Sequence, residues 1–383
     1  MKAILYTKYL KNIFLLTLLL MITPNMSAQE EEEESKSKFS FSGSVDAYYR
    51  TNLGGLNKVL PVVDAAGNTT EVISPTVPGT SFANRPGFAL GMVNLIAGYE
   101  GEKVGFVADL VFGPRGEEAV FGSPIGSANI VNQLYVYWNV SDKVTLTLGN
   151  FNTFLGYEVI SPSANFNYST SYMFSYGPFS HAGLKADFDL GNDWSAMLAV
   201  MNATDLTDVN PFGNYTLGAQ LGYSGQYLNL VYGPQGFGEQ VDAANGNIVD
   251  TDIKSLFQID YTGGFDVSDS FFLGINASYQ DTDGTGFTGV ALYPQLTTSE
   301  NFAIGLRGEY FAETGSFGAI GATDADGDAN VIAVTLTGSA TIGDLMIKPE
   351  LRLDSASEDA FLDGDLMPQG SLASFILAAV YSF

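Results

Sequence analysis

Residues 371–383 (SLASFILAAVYSF) limit what this chain can fold into more than any other stretch. Read every second residue back from the end, and Phe383, Tyr381, Ala379, Leu377 and Phe375 share one face. Ser382, Val380, Ala378, Ile376 and Ser374 share the other. Alternate side chains of a strand point to opposite sides of its sheet. One face is therefore wholly apolar and ends in two aromatics, while the other is small and mixed. Chain termini are usually polar and frayed. A terminal strand of this kind suits a sheet that closes on itself in lipid, where first and last strands pair so that no backbone edge meets hydrocarbon.

The same alternation starts at Phe39. Phe39, Phe41, Val45, Ala47 and Tyr49 fall on one side; Ser40, Ser42, Ser44, Asp46, Tyr48 and Arg50 fall on the other. Counting these two, the pattern gives sixteen candidate strands, most about 9–13 residues long, enough to cross a bilayer when tilted. Short turns fall near 100–103, 141–142, 191–193, 224–225, 268–269, 298–299 and 343–344. Longer connections fall near 51–85, 113–128, 152–179, 203–213, 233–251, 281–285, 312–329 and 355–370. Long and short connections alternate, and an even strand count puts both ends on one side. The expected fold is all-β: a transmembrane antiparallel up-and-down β-barrel of about 16 strands, with short periplasmic turns and long extracellular loops.

Charges obey the same two-residue period. Lys348, Glu350, Arg352 and Asp354 alternate with Leu345, Ile347, Leu351 and Leu353. Arg307 and Glu309 alternate with Phe302, Ile304, Leu306 and Tyr310, and Lys185 and Asp187 with Leu184 and Phe188. A charge on the lipid face near mid-bilayer costs about 2–4 kcal/mol. These eight residues, Lys185, Asp187, Arg307, Glu309, Lys348, Glu350, Arg352 and Asp354, are expected to line a wet lumen. Pro349 sits among them without a ladder N–H, which implies a bulge or a slip of register.

Composition bounds the chemistry. Cysteine is absent and histidine occurs once, so thiolate metal sites and cysteine nucleophiles are excluded. Lys2, Lys8 and Lys11 precede the apolar run 13–22, and small residues Ser27 and Ala28 follow. This reads as a secretory signal peptide over 1–28, too short to span as a helix. Its removal takes three lysines away and moves the net charge from −26 to −29. Nucleic acid is a poor partner for such a chain. Residues 29–38 read as an acidic disordered tail, leaving 39–383 for the barrel. No later apolar run reaches about 18 residues, which excludes a helical inner-membrane protein.

Four motifs occur in order: Tyr176-Gly-Pro-Phe-Ser-His181-Ala-Gly183, Leu306-Arg307-Gly-Glu309-Tyr310-Phe311, Pro349-Glu350-Leu-Arg352-Leu-Asp354 and Tyr381-Ser-Phe383. Across residues 39–383 the chain resembles the putative β-barrel porin-2 (OmpL-like) family of Bacteroidota outer membranes. The resemblance implies an outer-membrane porin without fixing a solute. Tyr381 and Phe383 look like the signal read by the barrel assembly machinery.

A barrel of this size leaves an aqueous channel. Segment 152–179 is rich in Tyr, Phe, Asn and Ser. In position and length it resembles the inward-folded third loop of general porins. It is expected to form a constriction through Tyr157, Glu158, Tyr168 and Tyr172, opposite the charged wall; a cap over the barrel mouth is the other reading. Ser180 and His181 are adjacent, so they point to opposite faces and cannot form a catalytic pair. Asp324, Asp326 and Asp328 have the alternation of a calcium loop but lack its distal Glu, so a solvated turn is the default and no cofactor is expected. The leading function is passive diffusion of small hydrophilic solutes, with a mild cation preference from the acidic balance. The alternative is a closed barrel with a structural or surface-binding role, and neither reading is enzymatic. Expected partners are outer-membrane lipid, lipopolysaccharide and the assembly machinery, with homo-oligomerisation left open.

Overall fold

Period-two patterning becomes register in the computed structural model, which describes residues 38–120, 129–244 and 246–383. The signal-peptide reading, and the acidic tail except for Lys38, lie outside the described residues. Sixteen strands close into one antiparallel barrel. In chain order they are β1 Lys38–Leu53, β2 Gly87–Glu100, β3 Val104–Phe112 and β4 Val131–Ser141. Next come β5 Val144–Asn152, β6 Ser180–Gly191, β7 Trp194–Met201 and β8 Thr216–Tyr223. Then follow β9 Gln226–Pro234, β10 Ser255–Ser268, β11 Phe271–Thr282 and β12 Thr285–Ser299. The last four are β13 Phe302–Thr314, β14 Ala329–Ile342, β15 Leu345–Ala356 and β16 Ser371–Ser382.

The terminal strand closes the ring. β16 pairs with β1 from Ser44–Ser382 to Leu53–Ala373, and with β15 on its other side. Phe383 and Gly43 exchange two backbone hydrogen bonds of 3.0 Å, and the Phe383 ring lies 6.1 Å from that of Phe41. Exposure is inverted relative to a soluble protein. Phe88, Leu90, Leu134, Leu198 and Leu351 are exposed, while Arg50, Asp109, Asn229, Asp260, Arg307 and Thr335 are buried. Lipid on the outside and a polar inside account for that inversion.

Turn chemistry follows the loop sorting. Asn192-Asp193 and Ser224-Gly225 take positive φ at both residues, the conformation that two-residue hairpins prefer. Asp283-Gly284 does the same (φ 55° and 85°), so the connection near 281–285 is a tight turn and not a longer loop. Pro349 introduces neither bulge nor slip. β15 keeps one register with β14 on both sides of it, Glu350 facing Thr337 and Ile347 facing Ala340. Its register with β16 is continuous through Pro349–Leu377. Pro349 faces outward, so the missing N–H interrupts the ladder without displacing the charges beside it.

Among the described residues the long connections carry three small hairpins of their own: Leu60–Val63 with Thr69–Ile73, Glu239–Val241 with Ile248–Asp250, and Phe361–Leu362 with Pro368–Gln369. They also carry two short helices, α1 Pro114–Ala119 and α2 Tyr172–Tyr176. Among the described residues no helix is long and apolar enough to cross a membrane.

Candidate functional site

The connection 153–179 leaves β5 and returns to β6, its ends tied by the Thr153 N–H donating to the Phe179 carbonyl at 3.0 Å. Between these ends it bonds to lumen-facing side chains far along the chain. Gly156 N donates to Asp260 of β10 at 2.9 Å. Asn167 Nδ2 donates to Thr337 of β14 at 2.7 Å. Tyr168 N and Ser169 N both donate to Glu350 of β15, at 2.8 and 3.2 Å. Tyr172 N and Met173 N both donate to Glu309 of β13, each at 2.9 Å. These last two amides open α2, where no intrahelical acceptor exists, and Glu309 supplies one. Ser171 caps the same helix by accepting from Phe174 N at 3.0 Å.

Cations take the carbonyls of the same segment. Arg307 Nη1 donates to Ser169 O at 2.6 Å and pairs with Glu158 at 2.6 Å. Arg352 Nη1 donates to Thr170 O at 2.7 Å while its other face grips Asp354 at 2.7 and 2.9 Å. Lys348 donates to the carbonyls of Pro162 (2.9 Å) and Asn165. Glu158 also accepts from Ser171 N at 2.7 Å. The wall charges therefore act on backbone: acids hold paired N–H groups, bases hold C=O groups. Charge-assisted bonds of this kind contribute about 1.5–3 kcal/mol each.

Shape locks what charge aligns. Four lumen-facing glycines leave notches for loop side chains. A methyl on Gly305 would lie 2.4 Å from the Phe166 ring, and one on Gly289 would lie 2.5 Å from Met173. Gly274 makes the same room for Tyr157, and Gly218 for Phe154. Tyr157 then stacks on Tyr293 with ring centroids 4.2 Å apart. A second layer braces the segment. Arg115 of α1 donates to Ile160 O at 2.9 Å and Tyr168 O at 3.2 Å, and lies 4.4 Å from the Phe82 ring centroid. Thr170 Oγ1 donates to Ser81 O, and Arg50 to Ala83 O. Burial pushes the phenols of Tyr168 and Tyr172 above their usual range, with the carboxylates of Asp46 and Asp354 respectively adding to it.

All eight wall residues face inward, as their spacing implies, but they do not all meet solvent. Arg307, Glu309, Lys348, Glu350, Arg352 and Asp354 are at most 2 % exposed, covered by the segment they hold. Lys185 and Asp187, an ion pair of 2.9 Å on β6, keep 25 % and 40 % side-chain exposure. Tyr168 and Tyr172 are fully buried and Glu158 nearly so, leaving Tyr157 half-buried. The wall glycines are the residues that sequence reasoning missed. Their signal was glycine at inward parity on neighbouring strands.

His181 packs between the rings of Phe151 and Phe154, with Nε2 3.0 Å from Thr153 Oγ1. Asp324 is occupied as a turn cap, accepting from the N–H groups of Asp326 and Asp328. Among the described residues no three His, Cys, Asp or Glu side chains are grouped to hold a metal.

One family model matches residues 38–383, that of "Putative beta-barrel porin-2, OmpL-like". No curated protein sequence matches significantly. Solved porin structures share the fold. OmpF of Salmonella typhi, in complex with daunomycin, is 10% identical at a TM-score of 0.55, over 92% of this chain and 100% of that one. The outer membrane channel DcaP of Acinetobacter baumannii is 12% identical at 0.53, over 93% and 100%. OmpT of Vibrio cholerae in its trimer form is 9% identical at 0.51, over 91% and 99%.

Proposed function

The chain belongs to the porin-2, OmpL-like family and is an outer-membrane porin channel; we propose that it passes small hydrophilic solutes by passive diffusion, with segment 153–179 as its constriction. One observation carries this reading. The charged wall side chains that hold the segment's middle are concentrated on β13 and β15, with Thr337 of β14 between them: Glu309, Arg307, Glu350 and Arg352, while Arg115, the Ser81 carbonyl and Asp46 of β1 brace it from the side of the preceding loops. Toward β8 and β10 the segment reaches the wall through its first residues, Phe154 and Gly156, and the way left for solute runs beyond them along β6. Eight strands from β14 around the ring is β6, where Lys185 and Asp187 stay partly exposed, with Tyr135 of β4 and Gln220 of β8 nearby. Solute follows this wall past the Lys185–Asp187 pair.

The remaining roles belong to biogenesis. Residues 1–28 direct export and are removed. Tyr381 and Phe383 present the terminal aromatic pattern to the assembly machinery. The outer face meets lipid and, at the loop end, lipopolysaccharide; association with further copies is compatible with the trimeric relative.

Single-channel recording of the refolded barrel in a planar bilayer tests the central claim, with steady ohmic steps as the expected result. A specific observation favours a second reading, a closed barrel with a surface role: buried apolar clusters flank the segment on several sides, around Phe311, Phe82 and Met201. A folded but silent barrel overturns the diffusion reading and supports this one.

A further inference from the structure

Beneath the latched segment lies a cavity of about 400 Å³, between residues 163–167 and the wall of β12, β14 and β15. Gln295, Ser339 and Met346 on its lining sit near the short-turn ends of their strands, so it opens toward the periplasmic side. Its size falls in the range of small-molecule sites, about 300–1,000 Å³.

The lining has two properties that together select a ligand class. The first is flat aromatic surface. Tyr293 is buried behind Tyr157, which stacks on it with an interplanar angle of 24°, while Tyr157 and Phe166, seated in the Gly274 and Gly305 notches, are half-buried and keep part of their rings open. The second is polarity without free charge. Its two ionic groups, Glu158 and Lys348, are already engaged with the protein: Glu158 with Arg307 and an amide, Lys348 with two carbonyls and, two residues on along the same face of β15, the carboxylate of Glu350. An ionic ligand would meet no uncompensated partner there and would lose its hydration. Gln295 and the Tyr157 hydroxyl, only 3.4 Å apart, offer neutral donors and acceptors at the edge of the aromatic platform. Rings whose faces are apolar C–H and whose rims are hydroxyl match both properties.

We propose that this cavity is a binding subsite for neutral polyhydroxylated rings, an uncharged mono- or disaccharide. The proposal rests on the porin reading for how solute arrives, and its test separates the two. Maltose is titrated into the refolded full-length barrel in a glycoside-free detergent, with binding read by saturation-transfer NMR. Glucuronate and glucosamine serve as charged comparators, and conductance is recorded on the same preparation. Maltose is expected to bind, with both charged sugars weaker. Gln295→Ala and Tyr157→Phe, each checked for the folded heat-shifted gel band, are expected to weaken maltose about two- to tenfold by loss of one hydrogen bond. Absence of maltose binding, equal binding of the charged sugars, or unchanged affinity in both variants overturns the subsite. A conducting barrel without binding overturns the subsite alone; a silent barrel that binds maltose keeps the subsite and overturns diffusion.

Discussion

At the residue scale, single buried charges hold more than one group each. Arg307 binds both Glu158 and the Ser169 carbonyl, and its side chain is fully buried. Removing one member of a buried pair leaves an uncompensated charge, at about 3–5 kcal/mol. Arg307→Ala is therefore expected to free the middle of segment 153–179 while the barrel persists. Limited proteolysis within 160–170, with an intact folded gel band, measures this; a segment as protected as in the wild type would count against the latch. Asp205 ties the other end, accepting from Phe179 N and Ser180 N at 2.7 and 2.9 Å. Burial outweighs those two amides and pushes its carboxyl up to about 6. A folded-state value above the unfolded one near 3.9 means that the native state binds the proton more tightly. Stability from this group is present below about pH 4 and falls as pH rises through 6. Asn tolerates the left-handed φ of 62° at this position, so Asp205→Asn is expected to flatten that fall. Melting temperatures of the two proteins across pH 4–7 decide it; parallel curves would refute the assignment. The inward parity of these wall charges was legible, but their partners were not. Alternation reports which face a side chain takes, whereas Arg307–Glu158 spans 149 residues of sequence.

At the element scale, segment 153–179 and the wall are cut to fit each other. The notch at Gly305 receives Phe166, and that at Gly289 receives Met173. A single methyl already intrudes on either contact, so Gly305→Leu is expected to push Phe166 and its neighbours away from β13. The ladder beside it is unaffected, since Leu is tolerated at strand geometry. Conductance per channel should then shift from the wild-type value in discrete, uniform steps, whereas an identical conductance would place the narrowest point elsewhere. Strand positions were legible because lipid on one side and lumen on the other enforce a strict two-residue period. Two element-level readings were less so. The 281–285 connection reads as a loop from its Asp, Gly and Thr content, yet Asp283-Gly284 is a two-residue hairpin turn. Pro349 reads as an irregularity, yet an outward-facing proline costs one hydrogen bond and leaves the register intact.

At the scale of the whole molecule, the question is which sign of ion the lumen favours. Net charge alone argues weakly, because much of the acid lies in loops and in the segment before β1. The arrangement of the lumen argues more strongly. Arg307 and Arg352 are paired with the carboxylates of Glu158 and Asp354, and Lys348 shares the inward face of β15 with Glu350 two residues on, so these cations present little net charge to a passing ion. Several acids are held instead by neutral donors. Asp109 accepts from Asn94, Asn132 and Gln133; Asp260 accepts from Gly156 N, Asn229 and Asn276. Amides stabilise a carboxylate without cancelling its field, so the negative potential of these sites extends into the lumen. In a low-dielectric wall such fixed charge raises the local concentration of cations. The expected outcome is a modest cation preference, read as the sign of the reversal potential in a salt gradient across a planar bilayer. Asp109→Asn and Asp260→Asn together should move that potential toward zero, because each exchange keeps the shape and removes one charge. A reversal potential of the anionic sign, or one that the double variant leaves in place, would show that the exposed Lys185 and the loop mouths, rather than the amide-held acids, set the selectivity.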